Sequence, residues 1–219
     1  MRSVLLAGLV WAMMPVAAIA QYTTRHPSFP TCPALTSATP PMGGAMRVWL
    51  DGSTGRRILI IQGGVQRGSA DQIANAIRVN QPIDQIWVNS QGGNAEEGNR
   101  ITRIIRDSGI PVHIPDDWWC VSACNFIFFG GAIRTIDPRG VLAVHMATHV
   151  RSEDTPRTAG QVQVIEEEMA RLTYDDIDLI IRMGISRRLL SEVMYAQSAS
   201  GVRCLTRDEM RRYNVVNVG

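Results

Sequence analysis

The sequence predicts one α/β domain with a mostly parallel sheet. Apolar runs typical of buried strands, at residues 57–61, 83–88 and 111–114, are separated by segments with helical periodicity. Parallel neighbouring strands need a crossover helix between them, and this alternation supplies it. With 219 residues, 45% of them hydrophobic, the chain is long and apolar enough to bury one substantial core.

The helices and the later strands follow from local patterns. Ser69 or Asp71 can cap a helix that runs to Ile77, and residues 95–107 carry isoleucines on one helical face. Beyond the third strand, an apolar helix opened by residues 120–124 and ended by Gly130 and Gly131 is followed by strands at 133–136 and 141–144. A long helix from about 160 to 181, a helix capped by Ser186 and a closing segment at 205–216 complete the predicted fold.

The first twenty residues have the pattern of a signal peptide. Arg2 precedes an apolar run at residues 4–16, and Ala18 and Ala20, in a small-x-small pattern, predict cleavage before Gln21. The mature protein is therefore expected to be exported, to the periplasm or the medium. A retained membrane anchor is the alternative, although the run is short for a span of about 20 residues.

Residues 21–44 are rich in proline, threonine and serine, which predicts an extended N-terminal arm ahead of a domain at 45–219. Cys32 lies in this arm and could pin it to the domain. The chain contains no repeat and no sign of a second domain.

Four cysteines, Cys32, Cys120, Cys124 and Cys204, would remain after cleavage. An even number in an exported chain predicts disulfides, and the three ways of pairing them stay open. Zinc is less favoured because the cysteines are scattered and no paired CxxC motif occurs. Cys120 and Cys124 are not expected to bond each other if they share a helix; a bond from either to Cys204 or Cys32 would stiffen the segment between them.

Composition excludes several classes of function. The net charge of +2 is too small to indicate a nucleic-acid-binding protein. All basic residues are arginine, so a Schiff-base lysine, a Ser–Lys dyad and a nucleotide-binding P-loop lysine are ruled out. Any ATPase would have to be a separate partner, and the sequence implies none.

Ser122 is the candidate nucleophile. It lies among small residues where a strand gives way to a helix, and the positive end of a helix dipole favours a developing oxyanion. A serine there is more often a helix cap, so a partner is needed. His145 ends an apolar strand and can act as the general base. His113 has no evident partner, and His149 begins a polar loop, so both are weaker candidates.

A glycine-rich turn follows the second predicted strand, in residues 89–94. Gly92 and Gly93 allow the backbone to approach a ligand closely and leave N–H groups to bind it. In a parallel sheet, ligands bind at the carboxyl ends of the strands, where this turn and Ser122 both lie.

These motifs, in this order, resemble the ClpP/crotonase superfamily, and within it the proteolytic subunits of Clp protease. The resemblance covers residues 57–216 and rests on the S-x-G-G turn, the nucleophile turn, the paired glycines after it, the R-x-I-x-P segment and the V-H pair. It implies a ββα spiral with a mostly parallel sheet and a long C-terminal handle-type helix. The cysteines and the signal peptide make the chain similar to periplasmic ClpP-like proteins.

The resemblance also implies site residues. Ser122 matches the nucleophile and His145 the base, while Gly93 and Ala123 match the positions whose backbone N–H groups form the oxyanion hole. The family's aspartate falls near Val202, which cannot orient an imidazole. The substitutes considered for this third member, none preferred, are Ser198, Ser200 and Asp208.

The sequence thus predicts a serine peptidase that acts on peptides or unfolded proteins. The implied chemistry needs no cofactor and no metal ion, and the family's assembly implies a homo-oligomer. The first alternative is an inactive scaffold or peptide-binding protein, because the aspartate is missing. The second is an acyl-CoA enzyme of the crotonase type with Glu96 or Glu97 as base, which export disfavours.

Overall fold

The structure is a computed structural model that describes residues 25–26, 29–145, 158–195 and 201–218. The predicted signal peptide at 1–20 lies outside the described residues. The strands are β1 (Arg25–His26), β2 (Phe29–Pro33), β3 (Arg47–Asp51), β4 (Ile58–Gln62), β5 (Gln85–Asn89), β6 (Val112–Ile114), β7 (Trp119–Val121), β8 (Arg134–Ile136), β9 (Val141–Val144) and β10 (Arg203–Cys204). The helices are α1 (Ser69–Val79), α2 (Ala95–Ser108), α3 (Cys124–Gly130), α4 (Ala159–Arg182), α5 (Leu189–Tyr195) and α6 (Arg207–Arg212).

The central sheet has five strands in the order β3-β4-β5-β6-β8. β4, β5, β6 and β8 are parallel, as the alternation of strands and helices predicted, and every residue of β4 is buried. β3 pairs antiparallel with β4 and was not predicted, because this edge strand is only partly buried and lacks a continuous apolar run. The predicted α/β class is confirmed.

Helices α1, α2 and α3 pack on one face of this sheet and form the main core. Fully buried side chains from α2 and α3, including Ile101, Ile105 and Phe128, fill it. The N-cap of α1 is Gly68, so the predicted cap at Ser69 or Asp71 is wrong. The Ser69 hydroxyl instead accepts a bond from the Gln66 amide at 2.9 Å in the turn before the helix.

A second sheet of three strands, in the order β10-β9-β7, lies beside the first. β7 and β9 are parallel, and β10 runs antiparallel to β9. β7 was missed because Cys120 and Val121 were assigned to the opening of the following helix. This small sheet positions the site, since β7 leads into the Ser122 turn and β9 ends one residue before His145.

Two features fasten the C-terminal part of the chain. The Cys32–Cys204 disulfide joins the N-terminal arm to β10, as the position of Cys32 suggested. The guanidinium of Arg134, which is 1% exposed, donates to four backbone carbonyls: Val215 at 2.8 Å, Asn214 at 2.8 Å, Gly131 at 3.0 Å and Met183 at 3.3 Å.

The long helix α4 is the least covered element. Thr158 and Gln161 form a capping box at its start, and only Leu179 and Ile180 near its end are buried. Among the described residues, no helix has both the length and the apolar character needed to cross a membrane.

Candidate active site

Ser122 lies in a sharp turn between β7 and α3. Its φ of 58° is in the left-handed region, which a residue other than glycine seldom adopts. The turn is held on both sides, because the Ser122 amide donates to the Ala143 carbonyl at 3.1 Å and the Asn125 amide donates to the Ser122 carbonyl at 2.8 Å. Such strain occurs at functional sites, where the surroundings fix one side chain in place.

A disulfide between Cys120 and Cys124 closes this turn, which corrects the expectation that the two would not bond each other. That expectation placed both on one helix and made Cys204 or Cys32 the partner. Instead, Cys120 lies in β7 and Cys124 is the first residue of α3, and the reversal at Ser122 brings their Cα atoms within 5.2 Å. Disulfides are typical of an oxidising compartment, and the structure contains two.

The glycine turn lies directly against the serine turn. A Cβ atom on Gly92 would lie 2.6 Å from the Ser122 Cβ, so no side chain fits there. The two turns are joined by the buried Ser90, whose amide donates to the Trp119 carbonyl at 2.9 Å and whose carbonyl accepts from the Val121 amide at 3.0 Å. The Ser90 hydroxyl accepts from the Gly92 amide at 3.0 Å, so this serine shapes the glycine turn.

The backbone amides of Gly93 and Ala123 belong to these two turns. Val65 pairs with the glycine turn by donating to the Gly92 carbonyl and accepting from the Asn94 amide, which leaves the Gly93 amide out. Within the described part of the chain, neither the Gly93 nor the Ala123 amide donates a hydrogen bond. Both amides thus lie in adjoining turns without an acceptor in this part of the chain.

One cavity, with a volume of about 460 Å³, is bordered by both Ser122 and His145. Its walls come from four helices, and most of them are apolar: Ala95 of α2, Phe126 and Phe129 of α3, Met169, Ala170, Ile177 and Ile180 of α4, and Leu189, Leu190 and Val193 of α5. The serine and the histidine thus face the same space from neighbouring strand ends.

Comparison with known proteins identifies the architecture. No protein-family model matches the chain, and no curated protein does either. Among solved structures, the chain is similar to a point mutant of ClpP1 from Listeria monocytogenes, with 21% sequence identity and a TM-score of 0.54, over 73% of this chain and 88% of that one. The protein has a ClpP-like fold. The resemblance carried by the sequence motifs is thereby confirmed for the fold.

The other histidine candidates were His113 and His149. His113 does have partners: its Nδ1 lies 2.8 Å from the Thr135 hydroxyl and its Nε2 3.3 Å from Asp137 Oδ2. Burial lowers the pKa of His113, against the opposing effect of Asp137. It is not among the residues that border the cavity. His149 lies outside the described residues.

The position that the resemblance implies for the family's aspartate lies beside His145. β10 pairs with β9 so that Arg203 is opposite Val144, and continuing this register by one residue sets Val202 opposite His145. Val202 packs against the small core around β9. Asp208 lies on α6 beside Arg211 and does not border the cavity, while Ser198 and Ser200 lie outside the described residues.

Sequence reasoning missed Asp176 of α4, a half-buried carboxylate that borders the cavity. Burial raises its pKa to about 6; the charge of Asp175 adds to this rise, and a hydrogen bond from Asn99 Nδ2 at 2.9 Å opposes it. The signal was in the sequence, because Asp176 interrupts a stripe with Met169, Thr173 and Ile180 at helical spacing.

The carboxylates considered for a crotonase-type enzyme lie elsewhere. Glu97 accepts from the Ala70 amide at 2.9 Å and pairs with Arg100 at 2.8 Å. Neither Glu97 nor Glu96 borders the cavity. Within the described residues, no cluster of three or more His, Cys, Asp or Glu side chains could hold a metal ion.

Proposed function

We propose that this protein is an exported serine peptidase of the ClpP-like type, which cleaves peptide bonds by acyl transfer through Ser122. The observation that carries the proposal is that Ser122, in a strained turn at the start of α3, borders the same cavity as His145. His145 accepts the hydroxyl proton as Ser122 attacks the carbonyl, and then donates it to the leaving amine. Water hydrolyses the acyl-enzyme by the same route.

The oxyanion formed in each step is bound by the Gly93 and Ala123 amides. The glycine turn supports this role, since a Cβ on Gly92 would lie 2.8 Å from the Ala123 amide nitrogen as well as against Ser122. Backbone donors already in place stabilise the charge without reorganising.

The resemblance sets the family's aspartate position near Val202, an apolar residue that cannot orient an imidazole. The proposal therefore rests on Ser122, His145 and the oxyanion hole, which carries much of the catalysis, and it names no acid. Loss of the acid in other triads lowers kcat by about 10⁴-fold, yet leaves catalysis well above the uncatalysed rate. Slow turnover is accordingly expected.

Peptides and unfolded protein segments are the proposed substrates, and the cell envelope the proposed location. The disulfides Cys32–Cys204 and Cys120–Cys124 and the predicted signal peptide support export. A homo-oligomer is also proposed, because α4 exposes apolar side chains, among them Val164 at 53% and Tyr174 at 69%.

The second candidate function is an inactive scaffold or peptide-binding protein, which the apolar Val202 favours. A hydrolysis assay separates the two proposals. The purified mature protein is incubated with a dye-labelled, carboxymethylated unfolded protein, in parallel with Ser122→Ala and Gly92→Ala. Release of labelled peptides by the parent, with none from Ser122→Ala, is expected of the peptidase; no release from any of them supports the scaffold.

Gly92→Ala should lose at least about 100-fold in activity, because its methyl group would collide with Ser122 and disturb the oxyanion donors. Gly55→Ala is the matched control. Gly55 has a similar φ of 76°, but a Cβ there meets nothing within 4 Å. If both variants lose activity equally, backbone strain and not contact with Ser122 is responsible.

A further inference from the structure

Among the described residues, the cavity beside Ser122 has mostly apolar walls and one carboxylate, that of Asp176. Its volume of about 460 Å³ is within the range of ligand pockets, roughly 300–1,000 Å³. The ionisable side chains that border it, among the described residues, are His145 and Asp176. His145 already has a role in the proposed reaction, so Asp176 is left without one.

Asp176 lacks a cationic partner among the described residues. Its one polar contact is the hydrogen bond from Asn99 Nδ2, and its neighbour on the helix, Asp175, carries the same charge. A half-buried carboxylate without a counter-ion is unfavourable for folding, and such groups are normally paired. Its position on the cavity surface means that a bound ligand can supply the missing charge.

Two further oxygen atoms near this carboxylate are short of donors. Asn125, which also borders the cavity, donates its Nδ2 to the Ala143 carbonyl at 2.9 Å. That bond fixes the amide so that Oδ1 is an acceptor, and this buried atom has no partner in the described part of the chain. Oδ1 of Asn99, the residue that holds Asp176, is likewise buried and unpaired there. The described polar side chains beside Asp176 therefore offer it one donor, Asn99 Nδ2, and no charge.

We propose that this cavity selects substrates with an arginine or lysine side chain on the acyl side of the cleaved bond, and that Asp176 binds the cationic end. This inference rests on the proposed peptidase function and adds its substrate class. The aliphatic stem of such a side chain packs against Phe126, Phe129 and Ile177, while its charged end reaches Asp176. Arginine fits best, because its guanidinium has several donors and no acceptor.

An apolar side chain is the competing occupant. It would match the walls, but it would bury Asp176 further without supplying a donor or a charge. A substrate with a basic residue satisfies both the walls and the carboxylate, so the cavity favours it.

The test compares four fluorogenic peptides that differ only at the residue before the cleaved bond: arginine, lysine, citrulline and leucine. With the parent protein, kcat/KM is expected to be about 10- to 100-fold higher for arginine than for citrulline, which keeps the shape and loses the charge. Asp176→Asn should remove that preference, so that kcat/KM for the arginine peptide falls to the value for the citrulline peptide. Asp175→Asn, an exposed neighbour that does not border the cavity, should keep the preference.

Binding to Ser122→Ala separates failure of this inference from failure of the peptidase function. The affinities of acetyl-arginine amide and acetyl-leucine amide are measured by titration, with calorimetry or NMR as the readout. This measurement needs no chemistry at Ser122. Tighter binding of the arginine ligand, lost in Ser122→Ala with Asp176→Asn, supports the basic pocket even if no peptide is cleaved. Equal or stronger binding of the leucine ligand, or an arginine preference that survives Asp176→Asn, overturns it even if the protein is an active peptidase.

Discussion

Two regions of this molecule each contain a disulfide and a charged side chain that is at least half-buried. They differ in the number of hydrogen bonds that the charged group forms and in the length of chain that the disulfide closes. In the closing region around β8 and β10, Arg134 donates to four carbonyls, and Cys32–Cys204 spans 172 residues of sequence. Around the cavity, Asp176 has one donor, and Cys120–Cys124 spans four residues. We infer that the first region contributes mainly to stability, whereas the second holds a strained serine and a carboxylate that has no cationic partner among the described residues.

The sharpest contrast is between the two disulfides. Removing Cys32–Cys204 with two serines should lower the free energy of unfolding by about 4–5 kcal/mol, because that bond closes a very long loop in the unfolded chain. Removing Cys120–Cys124 in the same way should cost only about 2 kcal/mol, since its loop is short. Urea denaturation of the two variants measures both losses.

Activity should show the reverse order. The Cys120/Cys124 variant is expected to lose at least about tenfold in kcat/KM while still folded, since the turn that positions Ser122 is released. The Cys32/Cys204 variant should keep the activity of the parent per folded molecule. Similar activity losses in both would contradict the division between the two regions.

Arg134→Met should be the next largest effect, with a loss of about 3 kcal/mol in unfolding free energy. Burial lowers the pKa of Arg134 to about 10, with a smaller contribution from Arg106, so it remains a cation at neutral pH. Its removal leaves four carbonyls short of donors, at about 1 kcal/mol each before relaxation.

Arg182→Met is the matched control for Arg134→Met. Arg182 forms only an exposed ion pair with Asp178, so its loss should cost less than about 1 kcal/mol by the same urea measurement. Equal losses would show that the carbonyl contacts of Arg134 contribute little.

Asp176→Asn should have the smallest effect on the free energy of unfolding, and at pH 8 it should raise that free energy instead of lowering it. The folded-state pKa of Asp176, about 6, is above the ordinary value of 3.8, so the folded chain binds the proton more tightly than the unfolded chain. The contribution of this group to stability is therefore full below about pH 4 and is lost as pH rises through about 6. The variant should be more stable than the parent at pH 8, by on the order of 1 kcal/mol once solvent screening is allowed for.

At pH 4 the two proteins should differ little, because the carboxyl group of the folded parent is then neutral. Thermal or urea unfolding of the pair across this pH range measures the difference. A variant that is less stable than the parent at pH 8 would mean that Asp176 has a counter-ion in the folded protein.

The parallel strands could be predicted because their apolar runs are unbroken. The glycine turn and Ser122 could be placed at strand ends because each directly follows or precedes a recognisable element. The sequence could not predict the Cys120–Cys124 bond, which depends on the left-handed backbone at Ser122. The partners of His113 are more than twenty residues away in sequence and meet it only through the pairing of β6 with β8. Asp176 is one of several acidic residues on α4, and only the tertiary structure shows that it borders the cavity.

The most direct test of the central claim, an activated Ser122, is covalent labelling. The oxidised, folded protein is incubated with a fluorophosphonate and its intact mass is measured beside Ser122→Ala and His145→Ala. A single adduct on the parent, none on Ser122→Ala and a much slower reaction of His145→Ala are the predicted result. An unlabelled parent, or equal labelling of the parent and Ser122→Ala, would contradict the account.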